Sequence, residues 1–237
     1  QSREFDIIVV ADGIFSKLRK NLDNNFLKQN FAIAYRGIIN NPSEYDLDKV
    51  NLFLGENKHL VLYPINHYGD FSFTGISNEP KKMIKETYQS ICNEKEISHF
   101  LNNFSLNIKS IINRSKKINK WPIYSHKKNF FGVDNIFVIG DAAHAMLPFQ
   151  AQGAAQSIED AYILSKLIKE NFLYPKELAK IRNPRVEMIK KKADDNLIIF
   201  HTKNIFLKKI RNFLIDIIFK NKKLSKFILS KIFDFKI

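Results

Sequence analysis

The chain has 237 residues, 45% of them hydrophobic and 26% charged, a balance that excludes intrinsic disorder and allows one large domain or two small ones. Its net charge of +14 admits a polyanionic partner, but the lysines are spread along the whole chain, which favours compositional bias over a nucleic-acid site. The single cysteine, Cys92, excludes an internal disulfide and a cysteine-based zinc site, and no apolar run approaches the ~20 residues that span a bilayer.

The first predicted element is a strand over Phe5–Ala11, a continuous apolar run typical of parallel strands that are buried on both faces. The dipeptide Asp12-Gly13 ends it, and Ile14–Leu22 follows as a short helix. The next strand that could pair with it in parallel is Asn135–Ile139. We therefore expect the intervening residues to form an insertion with its own architecture.

The insertion is predicted to be mainly an antiparallel sheet. Its strands are short, rich in aromatic and β-branched residues and separated by turns: Phe31–Ile39, Val50–Leu54, His59–Ile65 and Phe71–Ile76. Two predicted helices and a returning strand complete it: Pro80–Ile91, Glu94–Leu101 and Lys120–Ser125.

The chain after Gly153 is predicted to be mostly helical. Within Gln152–Asn171, apolar residues recur at spacings of three and four, which is typical of a helix with one core-facing stripe. The predicted stripe consists of Ala155, Ile158, Ala161, Leu164 and Ile168.

A ligand site is predicted where this helix begins. Asp141 follows the Asn135–Ile139 strand at its carboxyl end, where ligands of α/β sheets bind, and its carboxylate can accept hydrogen bonds from a polyol. The small residues Gly153, Ala154 and Ala155 allow a flat ligand to approach the backbone. The amides at the start of the helix favour negative charge on that ligand.

The segment Asn135–Ala161 (NIFVIGDAAHAMLPFQAQGAAQSIEDA) resembles the GD motif of class A flavoprotein monooxygenases, which include p-hydroxybenzoate hydroxylase, and is most similar to the salicylate-hydroxylase-like branch. The resemblance implies that Gly140-Asp141 binds the ribityl chain of FAD and that Pro148 packs at the flavin ring. It also implies backbone contacts to that ring from Gly153, Ala154 and Ala155. Without the resemblance, the same aspartate is an ordinary cap after a strand.

The segment Asp6–Arg19 (DIIVVADGIFSKLR) resembles the DG motif of the same family, with Asp12, Gly13, Ser16 and Arg19 in register. In the family this motif helps to bind the FAD pyrophosphate and is linked to the pyridine nucleotide. The resemblance therefore implies FAD as cofactor and NAD(P)H as co-substrate, although Arg19 is equally compatible with a solvated helix position. It further implies that the reduced flavin adds O₂ as a C4a-hydroperoxide and transfers one oxygen atom to a phenolic ring.

The family begins with a strand, a GxGxxG turn and a helix that hold the FAD pyrophosphate, and this sequence has no such turn. The chain also starts with Gln1, directly before a strand. We therefore expect a fragment of a longer enzyme, which does not bind FAD tightly on its own. The other half of the cofactor site is expected before residue 1.

Candidate substrate residues lie on the predicted sheet of the insertion. Strand alternation places His59, Val61 and Tyr63 on one face, and Arg36 lies on another strand of the sheet. A His–Tyr pair there could deprotonate a phenol or orient a carboxylate, so His59, Tyr63 and Arg36 are weak catalytic candidates. His144 suits the surroundings of the cofactor better than a role as acid or base. No ligand spacing indicates a metal site.

The C-terminal region is basic and amphipathic. In Asn204–Phe219 six apolar residues share one face, and residues 203–237 hold ten Lys or Arg against two Asp. Such a helix can dock on the FAD-binding part of the chain, which is the interpretation we favour. It can also lie on an anionic membrane. Peripheral contact of residues 204–237 with the inner membrane face stays open, whereas nothing indicates a nucleic-acid module.

Together these features predict an α/β fold: a partial Rossmann-like FAD-binding domain, interrupted by an antiparallel β-sheet substrate domain and followed by C-terminal helices. The predicted parts are residues 1–25 (DG motif), 26–125 (substrate sheet), 126–175 (GD motif and helix) and 176–237 (C-terminal helices). The whole enzyme is expected to be cytoplasmic. Its expected activity is the hydroxylation of a small phenolic substrate with FAD as cofactor, O₂ as the oxygen donor and NAD(P)H as the reductant. The alternatives are a ubiquinone-biosynthesis-type or polyene-oxidising flavoprotein at the membrane, and a non-catalytic remnant.

Overall fold

The computed structural model describes residues 4–23, 27–78, 90–172 and 174–233. The chain divides into two compact units. Of the described residues, the first unit comprises 4–23, 27–28, 124–172, 174–197 and 210–233, and the second comprises 29–78, 90–123 and 198–209.

The strands of the described residues are β1 (Ile8–Val10), β2 (Leu27–Ile39), β3 (Asn51–Leu54), β4 (Lys58–Pro64), β5 (Phe71–Asn78), β6 (Ser90–Ile91), β7 (Ile118–His126), β8 (Gly132–Val133) and β9 (Ile136–Val138). The α-helices are α1 (Lys17–Leu22), α2 (Glu94–Leu101), α3 (Leu106–Ile112), α4 (Asp141–His144), α5 (Gly153–Lys169), α6 (Pro175–Phe200), α7 (Ile205–Lys220) and α8 (Lys222–Phe233). A 3₁₀ turn spans Pro148–Gln150.

A three-stranded sheet in the order β1-β9-β8 lies in the first unit. The predicted parallel pairing of its two apolar strands is confirmed, with Val9 opposite Phe137. The prediction that the first strand is buried on both faces is wrong, because Ile8 and Val9 are 37% and 45% exposed. Among the described residues β1 is an edge strand with one neighbour, so the core of this unit is centred instead on Phe137 and Val138 of β9.

The predicted stripe of helix α5 is only partly confirmed, because Leu164 is buried and Ile168 packs against the core, but the other buried residues differ from those predicted. Ile158, part of the expected stripe, is 70% exposed, whereas the buried residues of the helix are Gln156, Asp160, Ile163, Leu164 and Leu167. The buried face therefore includes two polar side chains, which a search for apolar periodicity does not detect. Their partner is an arginine of α6, as described below.

A six-stranded sheet in the order β3-β4-β5-β2-β7-β6 forms the second unit. β2 and β5 pair antiparallel with Tyr35 opposite Gly75, and β4 pairs antiparallel with both β3 and β5. The predicted antiparallel insertion is confirmed. One face of this sheet carries the core, with residues such as Leu60, Leu62 and Phe73 packed against side chains of α2 and α3.

Helix α2 packs very closely on the core face of this sheet. Phe100 stacks on Tyr35 with 4.5 Å between ring centroids, and a Cβ added to Gly75 would overlap the Phe100 ring. The helix begins with a capping box, in which Asn93 accepts from the Glu96 amide and Glu96 accepts from the Asn93 amide. A glycine in the strand thus makes room for an aromatic anchor of the helix.

One predicted helix of the insertion cannot be assessed over most of its length. Of Pro80–Ile91, residues 80–89 lie outside the described residues, and Ser90–Ile91 forms the strand β6 rather than a helix, because it pairs with Asn119 and Lys120 of β7. Within the described ranges, no helix is both long enough and apolar enough to cross a membrane.

Candidate functional site

The turn after β9 presents Asp141 at the carboxyl end of that strand. Gly140 precedes it with φ +61° and ψ −146°, a conformation that favours glycine, and an added Cβ would lie 2.8 Å from Ser157 Oγ. Asp141 is the first residue of α4, and its side chain is exposed. The turn therefore favours glycine at position 140 and places the exposed Asp141 carboxylate at the end of the strand.

The start of α5 faces this carboxylate. The heavy atom that would lie nearest to a Cβ added at Gly153 is Asp141 Oδ1, at 3.7 Å. Pro148 and Ala154 are exposed, and Ala151 adopts a left-handed conformation with φ +52° that turns the chain into the helix. The N-cap residue, Gln152, makes no side-chain cap hydrogen bond, and the first turn contains no acidic residue. The helix start is thus available to a negatively charged ligand.

Asp160 supports the Gly140 turn from the interior of the first unit. Its carboxylate is fully buried and accepts hydrogen bonds from the Gly140 amide at 2.8 Å, from His144 Nε2 at 2.6 Å and from Arg182 Nε at 2.7 Å. Burial opposes the ionisation of Asp160, but hydrogen bonds from His144, Arg182 and Gly140 outweigh it and hold its pKa below the ordinary value. One ionised side chain therefore joins the Gly140 turn, α4, α5 and α6.

The buried arginine continues this network along α5. Arg182 Nη1 donates to Glu159 Oε2 at 2.5 Å, and Arg182 Nη2 donates to the Gln156 side chain at 2.8 Å. Arg185, one turn further along α6, donates to Glu159 and to the carbonyl oxygen of Ile232 in α8. The two helices are therefore held together by charge-assisted hydrogen bonds that run beneath the Asp141 turn.

The second predicted motif also forms a glycine turn. Gly13 has φ +83° and open space beside it, so its conformation, not crowding, requires glycine. Ser16 caps α1 by accepting from the Arg19 amide, and the exposed Asp12 carboxylate accepts from the Lys17 amide at 3.1 Å. Asp12 and Gly13 are thus at the surface of the first unit, directly after β1.

Arg19, expected at the cofactor, lies instead in the interior. Its side chain is fully buried, and Nη1 donates to the carbonyl oxygens of Ala142 and Ala143, while Nη2 donates to that of Lys128 at 2.7 Å. Nη1 is also 2.8 Å from His126 Nδ1. Because these partners come from α4 and from the chain before β8, Arg19 fixes the position of α4, the helix that starts with Asp141.

His144 is buried within the same part of the first unit. Its Nε2 contacts Asp160, its Nδ1 has no hydrogen-bond partner among the described residues, and its ring lies beside that of Phe131. The side chain is 1% exposed, so in the described structure His144 serves the packing around the Asp160 carboxylate.

The candidate substrate residues of the second unit lie on the sheet face opposite its core. An open cavity of about 460 Å³ there is lined by Arg36, Ile38, Ile65, Ser72 and Trp121, together with Lys116 and Lys117. Arg36 Nη2 is 3.4 Å from Tyr63 Oη, and Arg36 Nε is 3.4 Å from Ser72 Oγ. Of the described lining residues three are cationic and none is acidic, so the cavity suits an anionic molecule with a flat apolar body.

His59 does not line this cavity. It is 3% exposed, its Nδ1 is 2.9 Å from Nε2 of His201, and its ring packs edge-on against Phe200. Burial, with a smaller contribution from His201, lowers the pKa of His59 to about 3. Of the three weak catalytic candidates, the structure brings Arg36 and Tyr63 together and places His59 in a separate buried pair.

Comparison with known proteins gave consistent matches. A family model described as "FAD binding domain" matches residues 5–172. The chain is 27% identical to a 3-amino-4-hydroxybenzoate 2-monooxygenase of Streptomyces platensis, over 84% of this chain and 52% of the relative. It is 29% identical to 6-methylsalicylate 1-monooxygenase of Aspergillus terreus, over 69% of this chain and 39% of the relative. The chain thus spans about half the length, or less, of these relatives.

Among solved structures, a substrate complex of salicylate hydroxylase matches with a TM-score of 0.77 and 19% sequence identity. The match covers 98% of this chain and 62% of that structure. At this level of identity the likeness establishes the fold alone: an α/β part with an inserted antiparallel sheet and C-terminal helices.

Proposed function

We propose that this chain is part of an FAD-dependent monooxygenase that hydroxylates a phenolic ring. The premise is that the chain belongs to the FAD binding domain family, whose model matches residues 5–172. The observation that carries the proposal is the exposed Asp141 carboxylate facing the glycine that opens α5. In this proposal residues 1–25 and 126–175 bind the cofactor, residues 26–125 bind the substrate, and residues 176–237 form the C-terminal helical region.

The residues of the first unit fit FAD. Asp141 can accept hydrogen bonds from ribityl hydroxyls, and Gly153, Ala154 and Ala155 can offer amides to the ring edge beside Pro148. The Asp12-Gly13 turn and Gly140 are the other proposed cofactor contacts, whereas the buried Arg19 acts by positioning α4. Bound FAD, reduced by NAD(P)H, supplies the activation of O₂ and the transfer of one oxygen atom to the ring.

Replacing Asp141 tests this assignment. We expect Asp141→Ala to weaken FAD binding at least about 100-fold, since hydrogen bonds to a charged group contribute about 1.5–3 kcal/mol each. The melting temperature of the apo-protein should change little, because the side chain is exposed. The measurement is a fluorescence titration of the full-length apo-protein with FAD.

Asp195→Ala provides the control, because it removes an exposed aspartate from α6 in the same unit. It should leave the affinity for FAD within a factor of two of the wild type. Equal FAD retention by the Asp141→Ala protein would show that this carboxylate is not a cofactor ligand.

The cavity of the second unit supports a phenolic acid as the substrate. Arg36, assisted by Lys116 and Lys117, can hold a carboxylate, while Trp121 and Ile38 can contact a ring. The two relatives described above are named for phenolic acids, a hydroxybenzoate and a salicylate. We therefore assign Arg36 and Tyr63 to substrate binding rather than to proton transfer.

We expect Arg36→Met to reduce kcat/KM for a hydroxybenzoate at least about tenfold through a raised KM, since loss of a charge-assisted hydrogen bond costs about 1.5–3 kcal/mol. Turnover of the matching phenol, which lacks the carboxylate, should stay near the wild-type value. Lys49→Met, at an exposed lysine of the same unit outside the cavity, is the control. An equal loss of kcat/KM for the phenol and for the hydroxybenzoate in the Arg36→Met protein would refute a contact between Arg36 and the carboxylate.

A further inference from the structure

Helix α7 turns an apolar face away from the protein. None of its residues is buried, and Ile210, Phe213, Leu214 and Ile217 are 40%, 65%, 50% and 40% exposed. Their spacings of three, one and three place them on one face of the helix. These four residues are termed the outer stripe. They lie within the part of α7 that belongs to the first unit.

The other face of the helix is the one that is partly covered. Arg211, Ile215 and Ile218 recur at spacings of four and three and are half-buried. Burial also lowers the pKa of Arg211. The helix therefore already packs on the protein through this second face, which leaves the outer stripe for another contact. Ile218, one of the six apolar residues of the face identified in the sequence, is among these half-buried residues, whereas the outer stripe is exposed.

The part of the sequence that carries the outer stripe is strongly basic. Residues 210–233 carry six Lys or Arg against one Asp. That aspartate, Asp216, is paired with Lys220 at 2.7 Å. Helix α8 follows directly and adds Lys222, Lys223 and Lys226 beside the exposed apolar residues Phe227 and Leu229. Exposed aromatic and aliphatic groups among lysines are the pattern of a helix that lies in a membrane interface.

We propose that the outer stripe and the lysines of α8 form a surface that binds an anionic phospholipid bilayer. The stripe would enter the boundary between headgroups and acyl chains, and the lysines would contact the headgroup phosphates. Because neither helix is long enough and apolar enough to span, contact in the membrane plane is the mode that fits. A second copy of the chain is a poorer occupant, since its net charge of +14 would oppose the same charge.

Vesicle sedimentation with the purified protein tests the surface. The vesicles are phosphatidylcholine alone and phosphatidylcholine with phosphatidylserine, each at low and high salt. We expect binding to the anionic vesicles, reduced severalfold by salt and at least tenfold by the double substitution Phe213→Ser and Leu214→Ser. Ile158→Ser is the matched control, because Ile158 is an exposed isoleucine of α5 outside this surface, and it should bind as the wild type does.

Three results would overturn the proposal. The first is no binding of the wild type to anionic vesicles. The second is binding of the double variant to anionic vesicles that equals the binding of the wild type, because charge alone would then explain the binding. The third is a wild-type dimer in analytical ultracentrifugation that the double variant abolishes, which would make a second copy the occupant. A melting temperature within two degrees between the double variant and Ile158→Ser checks that the comparison is made between folded proteins.

Discussion

The Asp160→Asn protein should lose about 3–5 kcal/mol of unfolding free energy, the usual cost of removing one partner from a buried ion pair. Asp160 accepts from three donors, the Gly140 amide, His144 and Arg182. An asparagine offers a single acceptor oxygen, and its amide would direct N–H groups toward donors. Arg182, itself fully buried, would keep its charge with less compensation.

The same substitution should also weaken FAD binding at least about tenfold. Asp160 holds the Gly140 amide, which lies next to Asp141. A displaced Asp141 carboxylate would lose its charge-assisted hydrogen bonds to FAD. Chemical unfolding and FAD titration, both on the full-length protein, measure the two effects separately.

Glu159→Gln is the matched control for Asp160→Asn. It also removes a carboxylate that contacts Arg182, but Glu159 is partly exposed and does not touch the Gly140 turn. Because the glutamine would keep one acceptor oxygen for Arg182 and Arg185, we expect a cost of about 1.5–3 kcal/mol, smaller than for Asp160→Asn, and unchanged FAD affinity. Should both variants lower FAD affinity equally, Asp160 would be a structural residue of the helix pair without a specific effect on the turn.

The sequence indicated the turns at Gly13 and Gly140, but it did not indicate that the Asp160 carboxylate supports the turn at Gly140. Gly13 and Gly140 both adopt positive φ, as glycines after predicted strands are expected to. By contrast, the aspartate beneath the Gly140 turn lay in a helix whose buried face was predicted from apolar residues only. A salt bridge between α5 and α6 pairs residues 22 positions apart, and no periodicity within one helix contains that information.

Arg19 illustrates the same limit for a charged residue. Its position in a motif suggests a ligand contact, yet its guanidinium is used by backbone carbonyls more than a hundred residues away in the chain. His59 was likewise placed correctly on its strand face by alternation, but it packs against Phe200, the last residue of α6, and against His201, which follows it. Long-range partners of this kind follow from the tertiary fold, not from local pattern.

Histidine burial should make the protein acid-labile, and His126 is the residue that shows this most directly. Its Nδ1 faces two donors, Arg19 Nη1 at 2.8 Å and the Ala145 amide at 3.2 Å, so it must be an acceptor. The proton therefore resides on Nε2, which faces the Ile14 carbonyl oxygen at 3.4 Å. Burial, and next the charge of Arg19, lower the pKa of His126 to about 3.

The sign of the effect follows from this lowered value. In the unfolded chain a histidine takes up its proton near pH 6.5, whereas His126 in the folded state stays neutral down to about pH 3. Its contribution is therefore fully present above pH 6.5 and is lost as the pH falls between these values. At about 1.4 kcal/mol per pH unit, we expect the unfolding free energy to drop by about 2–3 kcal/mol between pH 6.5 and pH 4.5 through this residue alone.

Urea unfolding followed by circular dichroism at several pH values measures this slope. His126→Gln should be less stable than the wild type at pH 7, because both donors to Nδ1 lose their imidazole acceptor, but it should lose about 2–3 kcal/mol less on acidification to pH 4.5. His67→Gln, at an exposed histidine, controls for the removal of a histidine as such. If His126→Gln and the wild type were equally acid-labile, the neutral imidazole between Arg19 and Ala145 would not be the cause.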